Sequence, residues 1–331
     1  MKIAIVKLSA LGDIVHSMLV LQFIKKKYTD IEIDWIVDKS FEGVLDFNPD
    51  IDKVHFINLK KAKFNKSLHL IFKELKRIRG FGPYDLVIDL QGLVKSAFVS
   101  RLIASDLTIG FDKSSLRESF ASMFYNRVFK YSYEKNIIER NLALAAYALD
   151  FNFTNKDIEL KNQFLYSSKK YFFKDISLEK KNIIFVLGAS YRTKCYPIQK
   201  IAQIVKKINE NILVIWGNEE EKKMAYKLKN LAPSVNILSK LSLDELVSLI
   251  GQVDLVIGPD TGPTHMAWAL NKASITLFGP TPGYRNTHIT DINKIIESKS
   301  IVNPKKINKK DDSIKDIEIS SVLDLMKKLL G

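Results

Sequence analysis

Two doubly wound α/β domains facing a central cleft are the fold class this sequence predicts, and three observations carry it. Short β-branched runs such as Ile3-Ala-Ile-Val6 and Val253-Asp-Leu-Val-Ile257 alternate with longer segments whose apolar residues recur at helical spacing. That is the pattern of a parallel sheet covered by helices. The alternation runs twice, and between 150 and 179 periodicity fades into an irregular mix of Phe, Lys and Asn. Finally, 331 residues exceed what one ordinary core supports, so two domains of roughly 150 residues are expected. The boundaries taken are 1–160 and 161–331.

In order, Lys2 to Leu8 reads as a strand and Ser9 to Gly12 as a turn. Asp13 to Lys27 reads as a helix, with Lys25, Lys26 and Lys27 at its C-terminal end, where cations suit the dipole. Ile31 to Val37 and Val54 to Asn58 are further strands, and Lys60 to Arg79 is a basic, helix-rich stretch broken by Phe81-Gly-Pro-Tyr84. Asp85 to Leu90 is a central strand, Leu93 to Ala104 a helix, Thr108 to Phe111 a short strand and Asn136 to Leu149 a helix. The second half places strands at Asn182–Leu187, Asn211–Trp216, Asn236–Leu238, Val253–Ile257 and Ser274–Phe278. One intervening helix opens with the capping box Ser242-x-x-Glu245. A last helix runs from about Ile314 to Leu330.

Composition narrows the function classes. No window approaches the ~18 uninterrupted apolar residues of a membrane span, and the N-terminal apolar run is too short for a secretory leader. A cytoplasmic protein is therefore expected. One cysteine excludes a disulfide framework, and five scattered histidines offer no zinc pattern. The formal charge of +14 points to an anionic partner, although 37 acidic residues interspersed among 51 basic ones also fit a solvated surface.

In doubly wound folds, ligands bind beyond the C-terminal ends of the strands, so the turns there carry the chemistry. Gly258-Pro-Asp-Thr-Gly-Pro-Thr-His265 follows a strand and precedes a helix start placed at Met266. Such a turn offers backbone N–H groups and a helix dipole to an anion, with hydroxyls from Thr261 and Thr264 and a ring donor from His265. A plain helix cap at Asp260 or Thr261 explains the same residues. Asp13 fits both a helix cap and a general base, being ionised at neutral pH. Lys194, with Arg192, would bring positive charge to a phosphate, or simply be solvated. The glutamates of Trp216-Gly-Asn-Glu-Glu-Glu221 suit a helix first turn, and a strand-end Glu also suits ribose hydroxyls. Asp50-Ile-Asp52 matches a metal-binding pattern but reads as a surface turn. No G-x-G-x-x-G or P-loop pattern is present.

Six stretches in order carry a resemblance. They are Lys7-Leu-Ser-Ala-Leu-Gly-Asp-Ile-Val-His16, Asp89-Leu-Gln-Gly-Leu-Val-Lys-Ser96, Phe124-Tyr-Asn-Arg127, Trp216-Gly217, Asp260-Thr-Gly-Pro-Thr-His265 and Phe278-Gly-Pro-Thr281. Along nearly the whole chain they resemble the lipopolysaccharide heptosyltransferases, glycosyltransferase family 9. The second and third stretches look most like the branch that adds the first heptose to Kdo-lipid A. The resemblance implies a GT-B fold, with the acceptor on the N-terminal domain and ADP-heptose on the C-terminal one. It also implies that the last helix can pack back on the first domain, that the anomeric centre inverts, and that no metal or other cofactor takes part.

Residue by residue, Asp13 matches the family's proposed catalytic base. Asp260, Thr261, Gly262 and His265 match its donor loop, Lys194 a phosphate-contacting lysine, and Glu221 a ribose-contacting glutamate. Ala189-Ser190 stands where a Thr-Thr pair is usual, leaving Ser190 to supply a hydroxyl to the donor. Pro282-Gly283 replaces the usual Asp-Pro. The anionic acceptor gives purpose to Lys60, Lys61, Lys63, Lys95 and Arg117. The same charge would hold the enzyme peripherally on the anionic cytoplasmic face of the inner membrane. Rival readings are the branch that adds the second heptose, a relative using another sugar nucleotide, and a non-catalytic anion or nucleic-acid binder. No nucleic-acid motif supports the last, and nucleic acid is not expected as a partner.

Overall fold

The computed structural model describes residues 1–58 and 68–331. The chain divides into two compact units, Met1–Phe164 and Leu165–Gly331. In the first, β1 (Lys2–Val6), α1 (Leu11–Lys27), β2 (Glu32–Asp38), β3 (Lys53–Ile57), α2 (Leu68–Arg79), β4 (Tyr84–Asp89) and α3 (Val94–Leu102) follow one another. They are continued by β5 (Ser105–Phe111), β6 (Arg127–Phe129), α4 (Ile137–Leu149) and α5 (Asn155–Glu159). The described strands form one six-stranded sheet in the order β3-β2-β1-β4-β5-β6, parallel throughout. The central strands are buried on both faces, which is why Ile3 to Val6 and Val87 to Ile88 carry no exposed surface.

The second unit holds β7 (Asn182–Val186), α6 (Ile198–Val205), β8 (Asn211–Ile215), α7 (Glu219–Leu231), β9 (Asn236–Ile237) and α8 (Leu243–Ile250). Then come β10 (Leu255–Pro259), α9 (Gly262–Ala269), β11 (Ala273–Phe278), α10 (Gly283–Asn286), β12 (Asn293–Glu297) and α11 (Ile319–Leu330). Its sheet order, β12-β11-β10-β7-β8-β9, is the same winding renumbered and read from the other edge. In both units the order reverses between the first and fourth strands, β1 and β4 in one, β7 and β10 in the other. Crevices at such reversals are where doubly wound folds bind ligands.

The capping box at α8 is present: Ser242 N–H donates to Glu245 Oε2 at 2.8 Å, and Glu245 N–H to Ser242 Oγ at 3.2 Å. Two expectations need correction. The edge strands β6 and β12 were not foreseen, because Arg127–Phe129 is short and largely exposed and Asn293–Glu297 is only partly buried. The helix expected from Ile314 begins at Ile319, after a short 3-10 turn at Ser313–Asp316. Val322 and Met326 lie in the second unit's core with Ile183, Ile201 and Ile275, and Tyr196 Oη donates to Ile317 O at 2.9 Å.

Candidate active site

At the reversal point of the first unit, three consecutive N–H groups beyond β1 are held by side chains. Leu8 N–H and Ser9 N–H donate to Gln91 Oε1 at 2.8 and 3.0 Å, and Ala10 N–H donates to Asp13 Oδ2 at 3.2 Å. Helix α1 starts at Leu11, two residues before the expected start, so Asp13 lies in its first turn, where the dipole favours a carboxylate. Ala10, not Asp13, is the N-cap; Asp13 stands at the third helical position, and one of its oxygens accepts the N–H of Ala10. Asp13 is exposed, and no described residue bonds its other oxygen.

Behind this loop Asp89 is fully buried. Its Oδ1 accepts from Gln91 N–H at 2.8 Å and Gly92 N–H at 3.1 Å, and its Oδ2 from Ser96 Oγ and Tyr125 Oη, both at 2.8 Å. Burial raises its pKa, and these donors offset the rise only in part. Gly92 turns at φ +67°, a conformation side chains resist, and a Cβ there would meet Leu116.

Lys95 is exposed in the first turn of α3, its Nζ 3.6 Å from Asp38 Oδ2 at the end of β2. Arg117 Nη2 lies 3.7 Å from Glu118 Oε1, and Glu118 Oε2 accepts from Val94 N–H at 2.9 Å. Both cations thus flank the start of α3, Lys95 against a buried carboxylate and Arg117 in an exposed pair that contributes little stability. Lys60, Lys61 and Lys63 lie outside the described residues.

The reversal point of the second unit is built differently. Asp260 directly follows β10 and is buried. Its Oδ2 accepts from Lys194 Nζ at 2.8 Å, Thr281 Oγ1 at 2.9 Å and Asn286 Nδ2 at 3.2 Å. Its Oδ1 lies 2.9 Å from His265 Nε2. Burial alone would push this carboxyl up, but the Lys194 charge and the bond and charge of His265 outweigh it, holding it well below the carboxylate range. Lys194 is itself buried, with Nζ 5.6 Å from the centre of the Tyr191 ring.

Helix α9 starts at Gly262, not Met266, so Gly262 to His265 form its first turn and Thr261 precedes it. This places a helix N-terminus beside the Asp260–Lys194 pair. Thr264 Oγ1 shares its one proton between Pro259 O at 2.9 Å and Thr261 O at 2.7 Å. Ser190 is exposed in the loop after β7. The structure separates the three glutamates. Glu221 Oε2 accepts from Gly217 N–H at 2.6 Å, and a Cβ on Gly188 would come within 2.2 Å of Glu221 Oε1. Glu219 and Glu220 are exposed. Of the three, Glu221 therefore stands at the strand ends, packed against Gly188, where a Cβ would force its side chain to shift.

The structure thus gathers Lys194, Asp260 and His265, as the sequence suggests, and adds Thr281 and Asn286. Thr281 belongs to the Phe278-Gly-Pro-Thr281 stretch, whose sequence alone gives it no role. Asn286 carried no signal, because its position depends on the four-residue α10. The Asp50–Asp52 pattern lies away from both reversal points: Asp52 Oδ2 accepts from Ile33 N–H at 2.7 Å near the start of β2, and Asp50 N–H donates to Asn48 Oδ1 at 2.9 Å.

Comparison with known proteins identifies the family and the fold. Residues 71–317 match the model of glycosyltransferase family 9 (heptosyltransferase). The chain is 43% identical to lipopolysaccharide heptosyltransferase 1 of Campylobacter coli, covering 100% of this chain and 99% of that one. It is 28% identical to the protein of the same name from Pseudomonas aeruginosa, over 87% and 81% of the two. The solved structure of the E. coli heptosyltransferase WaaC with ADP shares the fold, with a TM-score of 0.81 at 22% identity over 99% of both chains.

Proposed function

The chain belongs to glycosyltransferase family 9, the heptosyltransferases, and from that premise we propose that it moves a heptose from ADP-heptose to a Kdo residue of Kdo-lipid A. The observation that carries this reading is the buried Lys194–Asp260–His265 cluster beside the N-terminus of α9. It sets a lysine beside the backbone N–H groups of a helix N-terminus, which supports the reading of this turn as a diphosphate site. A relative solved with ADP-2-deoxy-2-fluoro heptose supports the choice of donor.

In this mechanism the acceptor hydroxyl gives its proton to the open oxygen of Asp13. The hydroxyl oxygen bonds to the anomeric carbon from the face opposite ADP. The bond from that carbon to the phosphate oxygen breaks, its electron pair leaves with ADP, and the configuration inverts. The transition state has oxocarbenium character. Charge growing on the diphosphate is met by Lys194 and by N–H groups near Thr261 and Gly262, preorganised donors of the kind that lower barriers most. Asp260 acts through Lys194 and His265: with its oxygens occupied, it orients them. Glu221 is assigned to the ribose, and Ser190 supplies a hydroxyl to the donor.

Lys95 and Arg117, with Lys60, Lys61 and Lys63, are assigned to the acidic acceptor. Its lipid anchor places the reaction at a membrane surface, in keeping with the cytoplasmic face expected above. On α3, exposed Phe98 stands between Lys95 and Arg101 at helical spacing, and exposed Phe120 and Met123 follow nearby. Apolar side chains with flanking cations suit the interface of an anionic bilayer. No described helix is long and apolar enough to cross a membrane.

The test is transfer from ADP-heptose to Kdo-lipid A, in parallel with excess EDTA and with Mg²⁺, read as a heptose mass increment. Equal product in both tubes is the expected outcome. Product only with Mg²⁺ overturns metal independence, and no product with ADP still bound redirects the search to another acceptor.

A further inference from the structure

The Asp89-Leu-Gln-Gly92 turn has so far no part in the reaction, yet it is the most heavily bonded feature at the first reversal point. We propose that Gln91 is the positioning residue for Asp13: its side-chain carbonyl clamps the loop that presents the base. The inference rests on the reading of Asp13 as that base.

Gln91 Oε1 accepts from Leu8 N–H and Ser9 N–H together, joining the end of β4 to the end of β1 across 83 and 82 residues of sequence. The next N–H along, that of Ala10, holds Asp13 Oδ2. The orientation of the carboxylate therefore passes through one peptide unit to Gln91. Gln91 in turn is seated by Asp89, which accepts its backbone N–H and is steadied by Ser96 and Tyr125. Lys7 Nζ donates to Leu90 O at 3.0 Å, tying the same two strand ends a second time. The side-chain amide nitrogen of Gln91 reaches Ser9 Oγ only at 3.5 Å, so the acceptor half of the amide does the holding. A base displaced by about 1 Å can lose on the order of a hundredfold in rate, which gives the clamp leverage without contact to substrate.

Gln91→Met keeps the length and removes the acceptor, whereas Gln91→Glu keeps an acceptor for both N–H groups. For Gln91→Met, kcat is expected to fall roughly 10- to 100-fold, with KM for donor and acceptor within a few-fold. Gln91→Glu recovers most of the loss. In an Asp13→Asn background, where the residual rate is read at high enzyme concentration, adding Gln91→Met costs little more, because the clamp acts through a base already removed. A wild-type kcat for Gln91→Met overturns the proposal. So do equal losses in the Met and Glu variants, or losses that multiply with Asp13→Asn. Wild-type turnover by Asp13→Asn alone is a separate result: it overturns the base reading beneath.

Discussion

Asp89 and Asp260 stand at the same place in two sheets of one strand order, the first ending β4 and the second following β10. Both are buried, but their neighbours differ. Asp89 meets two backbone N–H groups and two hydroxyls, all neutral. Asp260 meets a lysine and a histidine as well as two neutral donors. Burial therefore wins at Asp89, whose pKa rises, and loses at Asp260, whose pKa falls. The winding supplies the station, and the neighbouring side chains decide its use. Neutral donors make a fastener for a loop, whereas a buried cation makes a station fit for the phosphate role proposed above.

The largest expected effect separates the two stations by function. Asp13→Asn should lower transfer by about 10²- to 10⁴-fold, the usual worth of a general base, while ADP-heptose affinity measured by calorimetry stays within a few-fold. A large loss of donor affinity in a folded variant would break the division between the stations. The next effect separates them by stability. Asp260→Ala leaves Lys194 buried without its counter-ion and should cost about 3 to 5 kcal/mol in denaturant unfolding, with donor affinity falling in parallel. Asp89→Asn replaces a carboxylate that burial already disfavours and should cost less.

Acid titration sharpens the contrast, because the two shifts have opposite signs. Asp260, held low, contributes stability that is complete above the ordinary carboxylate pKa of about 4 and is lost as pH falls below it. Asp89, held high, contributes most below about 4 and loses that contribution as pH rises through its raised value. Wild type and Asp260→Asn should therefore converge in stability as pH falls below 4. Wild type and Asp89→Asn should diverge in the wild type's favour as pH falls toward 4. Parallel curves would remove the electrostatic difference. The smallest effect is expected at Glu221: Glu221→Gln keeps an acceptor for Gly217 N–H and should raise the donor KM only a few-fold, while Glu219→Gln leaves it unchanged. Equal effects at both positions would sink the assignment of Glu221.

The central strands were legible because a parallel sheet buried on both faces demands unbroken apolar runs, as at Ile3 to Val6 and Ile183 to Val186. The turns at their ends were legible for the same reason, since the fold rule locates them. Partners far along the chain were not. Thr281 and Asn286 reach Asp260 from 21 and 26 residues away, and nothing local marks a carboxylate as already occupied. The start of α9 was misplaced because Gly262 and Pro263 resemble a turn, although proline suits a helix's first residues. The edge strands escaped because short or half-exposed strands need no continuous apolar run.

The position of α11 bears on how the protein is made. Its Val322 and Met326 complete a core whose first strand, β7, begins at Asn182, so they emerge from the ribosome after every strand of the sheet they seal. Domains generally fold as units and N-terminal first during synthesis, at about 5 to 20 residues per second. The first unit can close while the second is still being translated, whereas the second must wait for its final helix. For several seconds, the apolar surface around Ile201 and Ile275 stays uncovered, and a nascent chain stalled in that interval would present it to chaperones.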